Sequence, residues 1–469
     1  MYLTILSIFT SLEGHLSGQK LYLNDIIFGL IFGIFSYLVV KKIADTYYKN
    51  TIFYKYLMTF YKVKILSTIF FYLIFAFYYK GGDTFAYLHN TLQLRKILSN
   101  DFSAAMAIIF DPHSFKALYN MKGMMIEDGL YMLDDSTHVI ITFGFFVGFL
   151  CFNSYFVFCL SCSMVAMYGC WKLFQTFVEL YPHLHKELAI SCLFIPSVCF
   201  WGSGFLKDPI CIGALGVFTN SLYYIAFKNK KVFINIILST ISVYLIFKIK
   251  VYIVLVYAPA ALIWIISRNK DRIKSSFLRA IFAPLLLILG LLMGLVSLQL
   301  MATFADKYSF ENMMRTAQDT QNWLVYSSQT AGSTSFYTLG NIEYTPLGLL
   351  KVFPAAVNVS LFRPYIWEAK KPILMISSVE GIITMGFTIF LLYKSGIWNT
   401  IKQILLNPDV LFCMVFSIIF AFAVGFTSFN FGALARYKIP FMPFYYIALF
   451  ILADTSKKSK PASLPPKKR

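Results

Sequence analysis

Apolar runs of 16 to 25 residues recur along the chain from near residue 25 to residue 454. A helix that crosses a bilayer needs about 17–25 predominantly apolar residues. Eleven runs meet or approach that length, near 25–41, 62–79, 153–171, 188–202, 208–227, 232–247, 251–267, 280–303, 374–393, 409–427 and 437–453. The pattern predicts an all-α fold, a polytopic bundle of transmembrane helices. The shorter stretch 139–151 reads as a re-entrant or interfacial helix leading into the third span. Residues 1–455 form one transmembrane domain on this reading, and 456–469 a basic tail. The opening run 1–10 is apolar but lacks a basic flank and a small-residue cleavage site, so no cleavable signal peptide is expected.

Lysine and arginine placement predicts the orientation, because cytoplasmic loops collect both. One face gathers Lys41, Lys42, Lys49, Lys55, Lys62 and Lys64, then Lys172 and Lys186, then Lys228, Lys230 and Lys231. It continues with Arg268, Lys270, Arg272, Lys274 and Arg279, then Lys394 and Lys402, and ends with the tail. More than half of the 41 basic residues fall on this face. Eleven spans then put the N-terminus outside and the tail in the cytoplasm. Two long loops, about 80–138 and 305–372, face outside. The second holds Trp323, Tyr326 and Gln329.

Composition agrees with a membrane solvent. Hydrophobic residues make up 58% of the 469 and charged residues 13%, against about 25% charged in soluble domains. The net charge of +19 is explained by cytoplasmic loops, so no nucleic-acid partner is expected. All eight cysteines lie in apolar segments. Cys159 and Cys162 have CxxC spacing, but inside a span, where packing is the expected role. His183 and His185 form an HxH in a turn beside Pro182, and no metal is assigned there. The chain has no P-loop and no dinucleotide fingerprint.

Four polar motifs interrupt the apolar pattern, all predicted on the outer face. Gly81-Gly82-Asp83-Thr84-Phe85-Ala86-Tyr87 follows the second span. Asp83 there suits a general base, since partial desolvation raises a carboxylate's basicity; a helix N-cap would use the same residue. Trp201-Gly202-Ser203-Gly204-Phe205-Leu206-Lys207-Asp208-Pro209 forms the next turn, after Pro196-Ser197. Lys207 would bind phosphate as a point charge, or Lys207 and Asp208 would merely mark the interface.

The third motif is Arg363-Pro364-Tyr365-Ile366-Trp367-Glu368. Arg363 suits a pyrophosphate held bidentately, and Trp367 a sugar ring or the interfacial aromatic belt. Glu380 lies within the ninth span with no adjacent basic residue, so a polar cavity is expected beside it. The fourth motif, Asn430 to Pro440, opens the last span. Arg436 and Lys438 would sit near that helix's N-terminus, where the dipole attracts anions. Asp134, Asp135 and His138 precede the 139–151 helix and would either line a site or form an ordinary cap.

Together these motifs resemble bacterial membrane proteins of the EpsG and Wzy type, exopolysaccharide and O-antigen polymerases that overlap in architecture with GT-C glycosyltransferases. The segment GGDTFAY resembles that group's G-D-x-x-x-Y, FWGSGFLKD is similar to its S-G-x-x-K element, and GALARYKIP looks like its R-x-R/K-x-x-P start of a late helix. The acidic motif departs from the GT-C pattern: it follows the second span and holds a single Asp.

The resemblance implies transfer or polymerisation of sugars at the outer face of a bacterial inner membrane. The donor would be a sugar linked to polyprenyl phosphate or pyrophosphate, and the acceptor a glycan hydroxyl. Asp83 would be the acidic residue, either as a base or as ligand to a divalent metal ion. Arg436 and Lys438 would hold the phosphate. Tyr87, Lys207, Asp208, Arg363, Trp367, Glu380 and Asn430 complete the expected substrate site. The alternatives are a flippase or transporter for lipid-linked oligosaccharide and a non-catalytic membrane scaffold.

Overall fold

The computed structural model describes residues 23–114, 116–117, 119, 133–151, 153–269, 335–340, 342 and 346–458, with isolated positions at 315, 318, 319 and 322. The described residues are helical apart from turns and one isolated antiparallel bridge, Phe336 to Asn430. The predicted span 280–303 and Trp323, Tyr326 and Gln329 lie outside them.

Sixteen α-helices organise the described chain: α1 Leu23–Tyr47, α2 Ile52–Leu73, α3 Asp83–Asn100, α4 Phe102–Phe110, α5 Asp135–Cys151, α6 Tyr155–Leu180, α7 His185–Leu193 and α8 Pro196–Trp201 come first. Then follow α9 Lys207–Tyr223, α10 Val232–Arg268, α11 Pro346–Phe362, α12 Pro372–Ser395, α13 Ile397–Leu406, α14 Pro408–Thr427, α15 Phe431–Tyr437 and α16 Met442–Lys458. A π-helical turn extends α2 to Tyr79, and another extends α9 to Lys228.

Seven of these are long and apolar enough to cross a membrane, and the bent pair α15–α16 makes up to eight. Three features separate this count from eleven. The run 188–202 is not one helix. It breaks at Phe194 and Ile195, ahead of Pro196, into α7 and α8 of nine and six residues. At about 1.5 Å per residue, neither alone crosses about 30 Å of hydrocarbon, but the broken segment returns the chain from the end of α6 to the start of α9, which runs parallel to α6. The runs 232–247 and 251–267 are counted as one element, α10, but non-helical backbone at Lys250 (φ −147°, ψ 76°) divides it into two helices, as the two runs predict. The halves on either side of Lys250 are each about 27 Å long. The third feature is the undescribed run 280–303.

The second span also begins earlier than expected. Lys55, Lys62 and Lys64 lie within α2, and Lys41 and Lys42 within α1. Of the six lysines assigned to the first basic loop, only Lys49 occupies the turn between those helices. Lys64 is fully buried. It donates to the carbonyls of Gly202 (2.6 Å) and Cys199 (3.5 Å) and to Ser203 Oγ (2.8 Å). The 202–206 turn is thus part of the core: a Cβ on Gly204 would meet Phe71 Cζ at 2.1 Å.

The chain divides into two compact units, 1–180 with 198–251, and 181–197 with 252–469. In the first, α6 and α9 touch backbone to backbone. A Cβ on Gly216 would lie 2.0 Å from Gly169 O, so this is a small-residue crossing of the kind membrane helices use. In the second, Asp409 is the buried knot. Its carboxylate accepts from Trp264 Nε1 (2.7 Å), Arg268 Nη1 (2.5 Å) and Tyr181 Oη (2.8 Å). Among the described residues seven cysteines are buried and outside any disulfide, as expected for packing.

Candidate functional site

In the first unit, three segments distant in sequence meet around Lys207. This residue opens α9, and its Nζ donates to Ser136 Oγ (2.8 Å) and Thr137 Oγ1 (3.2 Å). It also lies 3.7 Å from Asp134 Oδ2 and 5.6 Å from the Tyr87 ring centre. Asp134 does cap α5: its Oδ2 accepts from the Thr137 backbone N–H (3.0 Å) and from both the Ser136 and Thr137 hydroxyls. Burial pushes the Asp134 carboxyl up, but the Ser136 and Thr137 hydrogen bonds and the Lys207 charge outweigh it, leaving it below the usual carboxylate range.

Beside it, Asp135 meets His113 Nε2 (3.0 Å) and Lys248 Nζ (3.6 Å). These partners overcome burial and hold its carboxyl low as well. His138 faces the Ile108 carbonyl (2.9 Å), and burial lowers its imidazole. Asp208 does not join Lys207. It is buried and forms an ion pair with Lys250 at the break in α10.

Asp83 is the first residue of α3, and Gly82, at φ 98°, occupies the cap position before it. Only glycine readily takes that backbone conformation. The N-cap alternative for Asp83 is therefore displaced by one residue, and its carboxylate acts on the helix terminus as a charge in the first turn. The side chain is exposed rather than desolvated. Tyr87 stands four residues on, on the same helical face.

In the second unit, the expected phosphate ligands have protein partners. Arg363 forks onto Glu368. Its Nε donates to Oε2 (3.0 Å) and its Nη2 to Oε1, while the Tyr365 N–H also donates to Oε2 (2.8 Å). Burial raises the Glu368 carboxyl and the Arg363 fork more than reverses it. The guanidinium also lies 5.3 Å from the Phe431 ring centre. Trp367 is 75% exposed, its ring 5.0 Å from Tyr365.

Glu380 and Lys438, two separate expectations from the sequence, come together. Both are buried, with Lys438 Nζ 4.0 Å from Glu380 Oε1. Ser197 supplies two donors to the carboxylate, its N–H to Oε2 (2.9 Å) and its hydroxyl to Oε1 (2.7 Å). Asn430 caps α15, accepting from Gly432 and Ala433 N–H. Arg436 is in the last turn of α15, not at a helix N-terminus, and the chain then bends by 65° into α16. The helix dipole favours a cation at that end without any ligand.

Among the described residues, no three His, Cys, Asp or Glu side chains gather as metal ligands. His183 instead meets Asp454 at 2.9 Å. Lys64 counts among the loop lysines in the sequence pattern, and Lys248 and Lys250 belong to none of the four motifs, because each of the three flanks an apolar run. The available signal was the spacing in Phe247-Lys248-Ile249-Lys250-Val251: two lysines with apolar residues on every side. No family model, curated protein or solved structure matches the chain.

Proposed function

We propose that this membrane protein transfers or polymerises sugars from a polyprenyl phosphate or pyrophosphate donor at the outer face of a bacterial inner membrane. The supporting observation is the meeting of Tyr87, Asp134, Ser136, Thr137 and Lys207 at the ends of apolar helices. A ring, two hydroxyls, a carboxylate and one cation make a chemically apt lining for a sugar phosphate head group. Lys207 offers a point charge to phosphate. In this reading Asp83, one turn before Tyr87, takes the acceptor proton. The acceptor oxygen bonds to the anomeric carbon as the sugar–phosphate bond breaks, and the phosphate leaves with the bonding electrons. The N-terminus is then outside and the tail cytoplasmic.

The test measures lipid-linked product in membranes at matched protein levels. Asp83→Asn should lower product about 10²–10⁴-fold, the worth of general base catalysis, and Asp83→Glu should lower it less. Full product from Asp83→Asn would remove Asp83 from the mechanism.

The second reading is transport of a lipid-linked oligosaccharide. Two observations favour it: the break between α7 and α8, where the Ser197 N–H meets buried Glu380, and the break holding Lys438. Discontinuous helices with buried charges line the paths of many transporters. Detergent-solubilised protein separates the readings. A transferase forms product there, whereas a transporter needs a sealed vesicle.

A further inference from the structure

Helix α13, Ile397–Leu406, is too short to span and lies between two helices that are long enough, α12 and α14. At about 1.5 Å per residue it is about 15 Å long. Its ends are built to turn the chain. Gly396, at φ 75°, closes α12 and opens α13, a conformation that favours glycine. Asn407 then ends α13, and its Oδ1 caps α14 by accepting from Asp409 N (3.0 Å) and Val410 N (3.2 Å). Pro408 follows at the first helical position, where its missing N–H costs nothing.

One face of α13 is docked. Thr400 is buried, its hydroxyl bonded to Gly396 O (2.8 Å). Gln403 Oε1 accepts from the Thr455 hydroxyl of α16 (2.8 Å). Ile404 packs on Ile263 and Leu411. The opposite face is apolar and uncovered: Ile397, Trp398, Ile401 and Leu405 are exposed, Trp398 at 84%. At 100° per residue these four fall within one arc. Asn399 and Lys402, also exposed, fall on the next arc round.

We propose that α13 lies in the plane of the membrane surface, with Ile397, Trp398, Ile401 and Leu405 inserted among the lipid head groups and upper acyl chains. The occupant of this face is the bilayer because α13 follows directly at Gly396 on α12, a helix long and apolar enough to cross the membrane that itself exposes Ile383, Ile389, Phe390 and Tyr393. A helix with one apolar arc beside a polar, lysine-bearing arc is the form that in-plane membrane helices take. Trp398 and Tyr393, 90% exposed, are amphipathic rings suited to the interfacial belt. The two lysines Lys394 and Lys402 sit where they reach the head-group phosphates. The inference rests on α12 and α14 crossing the bilayer and not on the sugar-transfer reading.

The experiment uses the full chain in vesicles of phosphatidylethanolamine and phosphatidylglycerol. Single cysteines at 397, 399, 401, 402 and 405 are spin-labelled, and collision rates with dissolved oxygen and with a water-soluble nickel complex are compared. Positions 397, 401 and 405 should favour oxygen, and 399 and 402 nickel, so that the ratio alternates with the helical period. Nickel contact at all five positions would overturn the proposal, because the face would then be in water. Protection of 397, 401 and 405 from both reagents would also overturn it, since a protein would be covering the face. A second measurement guards against misfolded label variants: tryptophan quenching by vesicle lipids brominated near the head group should fall in unlabelled Trp398→Phe, and quenching equal to that of the unsubstituted chain would reject insertion.

Discussion

Lys438 and Glu380 neutralise one another 4.0 Å apart inside the second unit. Among the described residues no hydrogen-bond acceptor reaches Lys438 Nζ, while the carboxylate takes two hydrogen bonds from Ser197. The anion is thus fixed by the backbone at the start of α8, and the cation sits in the bend between α15 and α16. A pair held this way explains why a span contains a glutamate with no basic neighbour in sequence.

The pair predicts a compensating double substitution. Glu380→Gln or Lys438→Met alone leaves one buried charge unpartnered and should cost about 3–5 kcal/mol. The double variant removes both charges and should recover most of that loss. Thermal unfolding in detergent measures all three. If the double variant melts as early as the worse single one, the pair is not what holds these residues.

Arg363 and Glu368 predict a second equivalence. If the guanidinium is engaged by Glu368, then Glu368→Gln and Arg363→Gln should destabilise the region alike, by about 1–3 kcal/mol. Arg363→Lys should behave almost as badly, since lysine cannot form the fork. Protease cleavage near residue 365 reports local opening. An Arg363 variant that leaves this region intact while weakening a phosphate ligand would instead support a binding role.

Acid should loosen the Lys207 cluster. The Asp134 carboxyl is held below its ordinary value of 3.8. A depressed carboxylate contributes stability that is complete above the unfolded value and is lost as pH falls through the folded one. Protection from hydrogen exchange at the start of α5, taken relative to the intrinsic rate at each pH, should therefore be constant from about pH 5 to 8 and fall only below about pH 4. A loss of protection at higher pH, near the imidazole range, would point to His138 instead.

The apolar periodicity was enough to reveal a helical membrane protein, because run length alone reports the thickness of the solvent. It could not reveal the break between α7 and α8. Phe194 and Ile195 are as apolar as any spanning residue, so only Pro196 hinted at the interruption. Nor could loop charge be told from core charge. Lys64 and Lys250 stand at the edges of apolar runs, and what makes them interior is the arrival of Gly202 and Asp208 from elsewhere in the chain. The Lys207 cluster is half legible in the sequence: Tyr87, Asp134 and Lys207 stand out as polar interruptions, Asp134 as a cap or a site residue, whereas nothing in the pattern singles out Ser136 and Thr137 or brings the three segments together.

The buried ammonium of Lys64 sets an order of events during synthesis. Its acceptors at Cys199, Gly202 and Ser203 lie 135 to 139 residues further along. At about 5–20 residues per second, α2 emerges roughly 7–28 s before they exist. During that interval a lone lysine within the bilayer costs about 2.5–3.5 kcal/mol on insertion scales. The helix is therefore not fully committed to the lipid by its own sequence, and its final seating belongs to the ribosome's later output. A nascent chain arrested before residue 199 would hold α2 only loosely, as a guest awaiting the segment that claims it.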